Sequence, residues 1–159
     1  MTHHTHHAVH PPPGEKSWRT AMRATLHCLT GCAIGEVLGM VIGSALGWSA
    51  AATVTLAIAL AFVFGYALTM RPLLRSGIDV RTALTLALAA DTVSIAVMEI
   101  IDNAVMVSVP GAMEAGLGSG LFWASLAFAL MVAFVLTVPV NRWLIARGKG
   151  HAAVHRYHH

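Results

Sequence analysis

Charge is what this sequence has least of. Lys, Arg, Asp and Glu make up only 11% of its 159 residues, against about a quarter in a soluble domain. So few charges cannot cover a water-facing surface, which excludes a soluble globular domain and leaves lipid as the solvent. Cysteine occurs twice, at Cys28 and Cys32, which excludes an extracellular disulfide framework. No basic face interleaved with aromatics appears, so nucleic acid is excluded as a partner. The first apolar stretch has no small-residue cleavage site leading into a soluble domain, so it reads as a retained span rather than a secretory signal. Flavin, haem and nucleotide fingerprints are also missing, and the expectation is a protein that is not an enzyme.

What the chain has in abundance is apolar surface: 57% hydrophobic residues and a mean hydropathy of +0.70. Four apolar runs stand out, at about residues 21–46, 50–70, 80–101 and 121–140. Each is long enough to cross a hydrocarbon core of ~30 Å at ~1.5 Å per residue. The fold class is therefore an all-α membrane protein, a bundle of four transmembrane helices. Residues 1–16 read as a His/Pro-rich disordered tail, 17–146 as the transmembrane domain and 147–159 as a His-rich C-terminal tail. Ser49 and Asp79 are placed to cap the second and third helices, and Arg71-Pro72 to close the second. Trp18, Trp48, Trp123 and Trp143 fall near span ends, where an amphipathic ring is favoured.

Orientation follows from the basic residues. Lys16, Arg19 and Arg23 precede the first span; Arg71, Arg75 and Arg81 flank the second connection; Arg142, Arg147, Lys149 and Arg156 follow the fourth. With four crossings all ten fall on one side, and the positive-inside rule makes that side, with both termini, cytoplasmic. The expected location is a bacterial inner membrane. The connection from Asp102 to Gly120 is apolar and glycine-rich; it fits a short interfacial helix near residues 110–117 or a partly re-entrant segment, and the pattern leaves both open.

Inside the first span, Gly31, Gly35, Gly39, Gly43 and Gly47 recur every four residues. Such a face lets another helix approach closely, by closing the bundle or by joining protomers; a homo-oligomer is expected. Cys28, Cys32 and Glu36 climb an adjoining strip. Counted from Arg23, Cys28 lies ~8 Å deep and Glu36 ~20 Å. The third span carries Asp91, Ser94, Met98 and Asp102 on one face, with Glu99 and Asn103 beside them. Asp91, ~15 Å beyond Arg81, is expected near the depth of Glu36. Carboxylates in lipid are costly and mark functional sites. Glu36 and Asp91 are thus expected to face each other, holding a cation or sharing protons. The competing reading is a protonated packing pair, with the cysteines as small core residues.

Thiols, thioethers (Met40, Met98, Met106, Met113) and carboxylates together suit a soft cation. The expected metal set is His27, Cys28, Cys32, Glu36 and Met98, together with the tail residues His151, His155, His158 and His159, whose spacing suits imidazole ligation if helical. The N-terminal tail adds five further histidines. No tightly bound cofactor is expected; the ion would be a transition metal (Cu, Zn or Ni), Cu(I) favoured by the thiols. Glu36, Asp91, Ser94, Met98, Glu99 and Asp102 are the expected pathway. The leading expectation is a transition-metal permease or metal-handling protein. A proton- or cation-conducting channel, or a proton-coupled transporter titrating at Glu36 and Asp91, is the alternative. A structural or partner-binding membrane protein is a further one.

The run His27-Cys28-x-x-Gly31-Cys32-x-x-Gly35-Glu36 carries a resemblance, together with Asp91, the Met98-Glu99-x-x-Asp102-Asn103 segment, Pro110-Gly111-Ala112-Met113 and Pro139-Val140-Asn141-x-Trp143. Together these resemble an uncharacterised family of bacterial four-span membrane proteins, one of the domains of unknown function, over residues 25–155. That resemblance implies a helical membrane fold and no particular reaction. A thiol pair in a first span is also similar to small bacterial mercury-uptake proteins, although theirs are adjacent and these are four apart.

Overall fold

A computed structural model describes residues 13–147 of the chain. Those residues form four helices: α1 (Pro13–Ala45), α2 (Ala50–Arg75), α3 (Val80–Ser108) and α4 (Gly120–Ala146). All four are long and apolar enough to cross a membrane, which makes this a multi-pass membrane protein. Both histidine tails beyond these limits, including His151, His155, His158 and His159, lie outside the described residues.

Two short connections share one construction. After α1, Gly47 adopts φ 64°, its N–H reaches the Ser44 carbonyl and the Trp48 N–H reaches that of Gly43. After α2, Gly77 adopts φ 83°, bonding Leu74, while the Ile78 N–H reaches the Leu73 carbonyl. Each is a left-handed glycine stop that satisfies the last carbonyls of its helix. The next helix starts within two residues. Ser49 accepts from the Ala52 N–H and Asp79 from the Thr82 N–H, satisfying first-turn donors as N-caps do. Gly47 is therefore a turn residue, not the fifth rung of the packing face, and a Cβ on it would meet nothing within 4 Å.

The other four rungs behave as a seam. Cβ atoms built on Gly31, Gly35, Gly39 and Gly43 would collide with Gly65, Ala61, Ala57 and Thr53 of α2. The ladder thus closes the bundle internally, and the expected homo-oligomer loses the face on which it was based. Around the bundle α1 packs on α2 and α4, α3 packs on the same two, and α1 touches α3 across the diagonal. Small and polar residues fill the interior (Ala61, Ala87, Ala129, Ala133, Thr137), while Leu26, Val63, Ile100, Val107 and Val135 face outward. This inside-out pattern is what lipid demands. The Arg142 guanidinium lies 4.1 Å from the centre of the Trp18 ring, so α4 ends where α1 enters, and the arginines gather at that basic end.

Several sequence-based boundaries move. α1 begins at Pro13, inside the stretch read as tail. α2 runs through Pro72 to Arg75, because a proline in the last turn removes only one donor and leaves one carbonyl to be satisfied elsewhere. α4 likewise runs through Pro139 to Ala146. α3 continues two turns past residue 101, so Asp102 is helical and the connection shrinks to residues 109–119. Those residues form turns rather than an interfacial helix or a re-entrant segment. Ala112 is fully buried, and Met113 and Leu117 pack with Phe122 and Leu126 over the end of the bundle remote from the arginines.

Candidate functional site

The polar groups lie on the α1–α3 diagonal as facing pairs. Nearest the basic end, Cys28 Sγ is 3.8 Å from Asp91 Oδ1. One turn further, the Cys32 thiol faces the Glu99 carboxyl. Beyond that Glu36 faces Asp102, with Glu99 close to both. Each of these six side chains is at least 93% buried. The α1 spacing of four residues brings one ligand to the seam per turn, and α3 answers at 91, 99 and 102.

This pairing differs from expectation. Glu36 and Asp91 do not meet: Glu36 stands eight residues beyond Cys28, hence about 12 Å from the level of Asp91. Depth had been counted from Arg23 and Arg81. Cys28 is five residues past Arg23 and Asp91 ten past Arg81, so those arginines differ in depth by about 7.5 Å. Arginine side chains reach an interface from different levels and make poor rulers.

The pair farthest from the basic end opens into a cavity of about 50 Å³ lined by Glu36, Glu99, Asp102 and three thioethers, Met40, Met106 and Met113. A cavity above ~15 Å³ holds a water. Both carboxyl oxygens of Glu36 and Glu99, and Oδ1 of Asp102, make no hydrogen bond among the described residues. No Lys or Arg lines this cavity. Carboxylates facing one another in a low dielectric repel, so protons or a bound cation must offset their charge. Met98 lies deeper, packed with both thiols against Ile95.

Below Cys28 a hydrogen-bonded chain ties three helices. The Thr25 hydroxyl donates to the Ala21 carbonyl, leaving its oxygen to accept from Asn141 Nδ2. That fixes the amide orientation and turns Asn141 Oδ1 to Ser94, which donates to it. Thr25 was not singled out by sequence reasoning, and Asn141 was named only within the Pro139-Val140-Asn141-x-Trp143 segment, without a role. Asn141 fell beyond a span ended at Val140, although an amide after Pro139 on the same helical face was the available signal. Thr69 and Thr137, both fully or nearly fully buried, were missed too, because threonine in a span usually bonds its own backbone.

His27 turns away from the thiols. Its ring bonds the Leu68 carbonyl, the group deprived of its i+4 donor by Pro72. It therefore satisfies a carbonyl that Pro72 leaves without its helical donor. The expected set of His27, Cys28, Cys32, Glu36 and Met98 accordingly forms no single chelate, and among the described residues no three His, Cys, Asp or Glu side chains converge to hold a metal ion. Cys28 and Cys32 are free thiols, each occupied with a different carboxyl.

Residues 17–150 match the family described as Domain of unknown function (DUF4396). No curated protein and no solved structure matches the chain.

Proposed function

The chain belongs to the DUF4396 family, whose description carries no activity, and we propose from the geometry that it is a membrane permease for a soft cation, Cu(I) being the best fit to its donors. The observation that carries this reading is the stepped pairing across α1 and α3. Carboxyl faces carboxyl at the thioether-lined cavity, and thiol faces carboxyl at the two levels below. A conducted ion needs ligands at every level but must also leave each one. Two ligands per step, with no closed chelate, meet both needs. Thiols and thioethers select soft ions, and the carboxyls exchange protons as the cation passes.

By the positive-inside rule the arginine-rich end faces the cytoplasm, in a bacterial inner membrane. The cavity with Glu36, Glu99 and Asp102 then opens outward, and the thiols stand nearer the cytoplasmic face. Nine histidines in the two tails act there as an imidazole buffer for the same ion. Proteoliposomes loaded with a Cu(I) indicator test this. The double variant Cys28→Ser, Cys32→Ser is expected to lose about tenfold or more of the flux; full metal binding and flux in that variant sink the thiol step.

The acid grouping favours a second reading, a proton- or cation-conducting pathway in which the cysteines only pack. It predicts pH- or Na⁺-dependent conductance without any transition metal, and unchanged currents in Glu36→Gln would dismiss it.

A further inference from the structure

α2 and α3 do not pack evenly along their length. Toward the basic end they are closed. Leu73 packs there with Ala83 and Ala90, and the Tyr66 hydroxyl stands 2.9 Å from the Thr92 oxygen. Thr92 gives its own proton to the Leu88 carbonyl, so Tyr66 is the donor across the seam. Beyond Phe62, whose ring packs on Tyr66, the two helices part. A groove of about 520 Å³ opens between them, walled by Val54, Ile58 and Phe62 of α2 and by Ala96, Ile100 and Val107 of α3. Ile100 and Val107 are each 70% exposed, so the groove faces hydrocarbon.

Two polar side chains interrupt these apolar walls, Glu99 and Asn103. The Asn103 amide nitrogen donates to the Glu99 carbonyl, which leaves its amide oxygen as an acceptor. Glu99 is only 4% exposed. Cys32 and Asn103 lie beside its carboxyl, yet neither carboxyl oxygen makes a hydrogen bond among the described residues. Buried polar atoms without a partner are rare and call for a ligand or an ordered water. Glu99, Asn103, Val54 and Met113 line both this groove and the cavity that holds Glu36 and Asp102. The Glu99 carboxyl is thus approached from the bilayer as well as from the end of the bundle. No Lys or Arg lines either space.

We propose that this groove is a lateral binding site for a lipophilic ammonium ion, its apolar body between α2 and α3 and its N–H groups directed at Glu99 and the Asn103 oxygen. Charge and donors decide the occupant. A lipid tail fills the groove but offers Glu99 no donor. A hydrated metal ion cannot come this way, because the apolar walls hold no ligand for it short of Glu99. An ammonium on an apolar body supplies positive charge and donors together, and charge-assisted bonds are strong in a low dielectric. The groove's volume lies within the ~300–1,000 Å³ of small-molecule sites, which likewise combine apolar walls with a few convergent polar groups. Because Glu99 also faces the cavity, a bound ammonium occupies the carboxyl level of the diagonal. The site does not rest on the permease reading.

The test is binding of pyrenemethylammonium to the full-length protein in nanodiscs of zwitterionic lipid, one chain per disc, read by fluorescence anisotropy. Empty discs give the partition baseline, and pyrenemethanol, similar in size but neutral, is the control. Saturable binding is expected for the amine and none for the alcohol. Glu99→Gln keeps the volume but loses the charge, and should weaken amine binding about tenfold or more. Ala96→Leu, which narrows the groove and leaves the carboxyl in place, should weaken it too; helicity equal to wild type reports that both variants fold. Saturable binding of both probes alike means that the groove takes any apolar chain, a lipid tail included, and overturns the ammonium site. So does an amine signal no greater than the baseline, or full affinity in Glu99→Gln. Amine binding that disappears when discs hold two chains assigns the groove to a second copy and overturns it as well. No copper is present, so these outcomes are independent of the copper flux that tests the permease reading.

Discussion

Replacing Gly35 with alanine adds one methyl group where the α2 backbone comes closest to the α1 glycine ladder. The new carbon would lie 2.5 Å from Ala61 Cα and 2.7 Å from the Leu60 carbonyl carbon, both backbone atoms that no rotamer change can move. Carbon atoms pack at about 3.5–4.0 Å, so α2 must retreat by roughly 1 Å. A gap of that size forfeits up to about half of each dispersion contact, and it is imposed on the neighbouring rungs at Gly31 and Gly39 as well. In lipid, dispersion is the main attraction between these helices, and overpacking of this kind costs about 1–3 kcal/mol. Gly65 supplies the control. There the added carbon meets Ile95 Cδ1 at 2.5 Å, the mobile end of a side chain, so Gly65→Ala should cost less than about 1 kcal/mol. Gly47→Ala meets no neighbour and should lose only the ~1 kcal/mol of a left-handed backbone. Unfolding of the three variants in mixed micelles, read by tryptophan fluorescence, gives the ranking. Gly35→Ala as stable as Gly65→Ala would refute the seam as the element that holds α1 to α2.

Two further outcomes follow from the caps and the buried network. Asn141→Leu leaves the Ser94 hydroxyl without its acceptor and should destabilise by about 1–3 kcal/mol in the same unfolding assay; stability equal to wild type would remove the Thr25–Asn141–Ser94 chain from the account. Asp79, exposed at the start of α3, is held below the usual carboxyl range by its side-chain and backbone bonds with Thr82. A depressed folded value means the cap's contribution is present above the unfolded value of about 3.9 and is lost as pH falls through the folded one. An NMR titration of the Thr82 amide should thus move below about pH 4 in the wild type and stay flat in Asp79→Asn; matching titrations would contradict the cap.

Much of the frame was readable from residues alone. The four spans announce themselves by composition, and the Ser49 and Asp79 caps stand where their spacing put them. Span ends were less legible. Pro72 read as the close of the second span, whereas α2 runs through it to Arg75, and the fourth span was bounded at Val140, whereas α4 runs on through Asn141 to Ala146. The apolar character of residues 102–108 was read as loop because glycines follow, whereas α3 simply continues. In the candidate site, all the acids and both thiols were named from sequence. Their partners were not, since Glu36 was matched to Asp91 when it meets Asp102.

Crossing number and the side holding the basic residues depend on each segment's own solvation: a run of apolar residues must satisfy its backbone internally and enters lipid as a helix whatever its neighbours do. These the amino-acid order determined by itself. Which polar group confronts which is a matter of vertical offset between helices distant in the chain. That offset is set where Gly31 to Gly43 dock on α2 and where the Gly77 turn launches α3. A shift of a single turn would exchange every pairing along the diagonal at little cost to any helix alone, so only the packed bundle decided it.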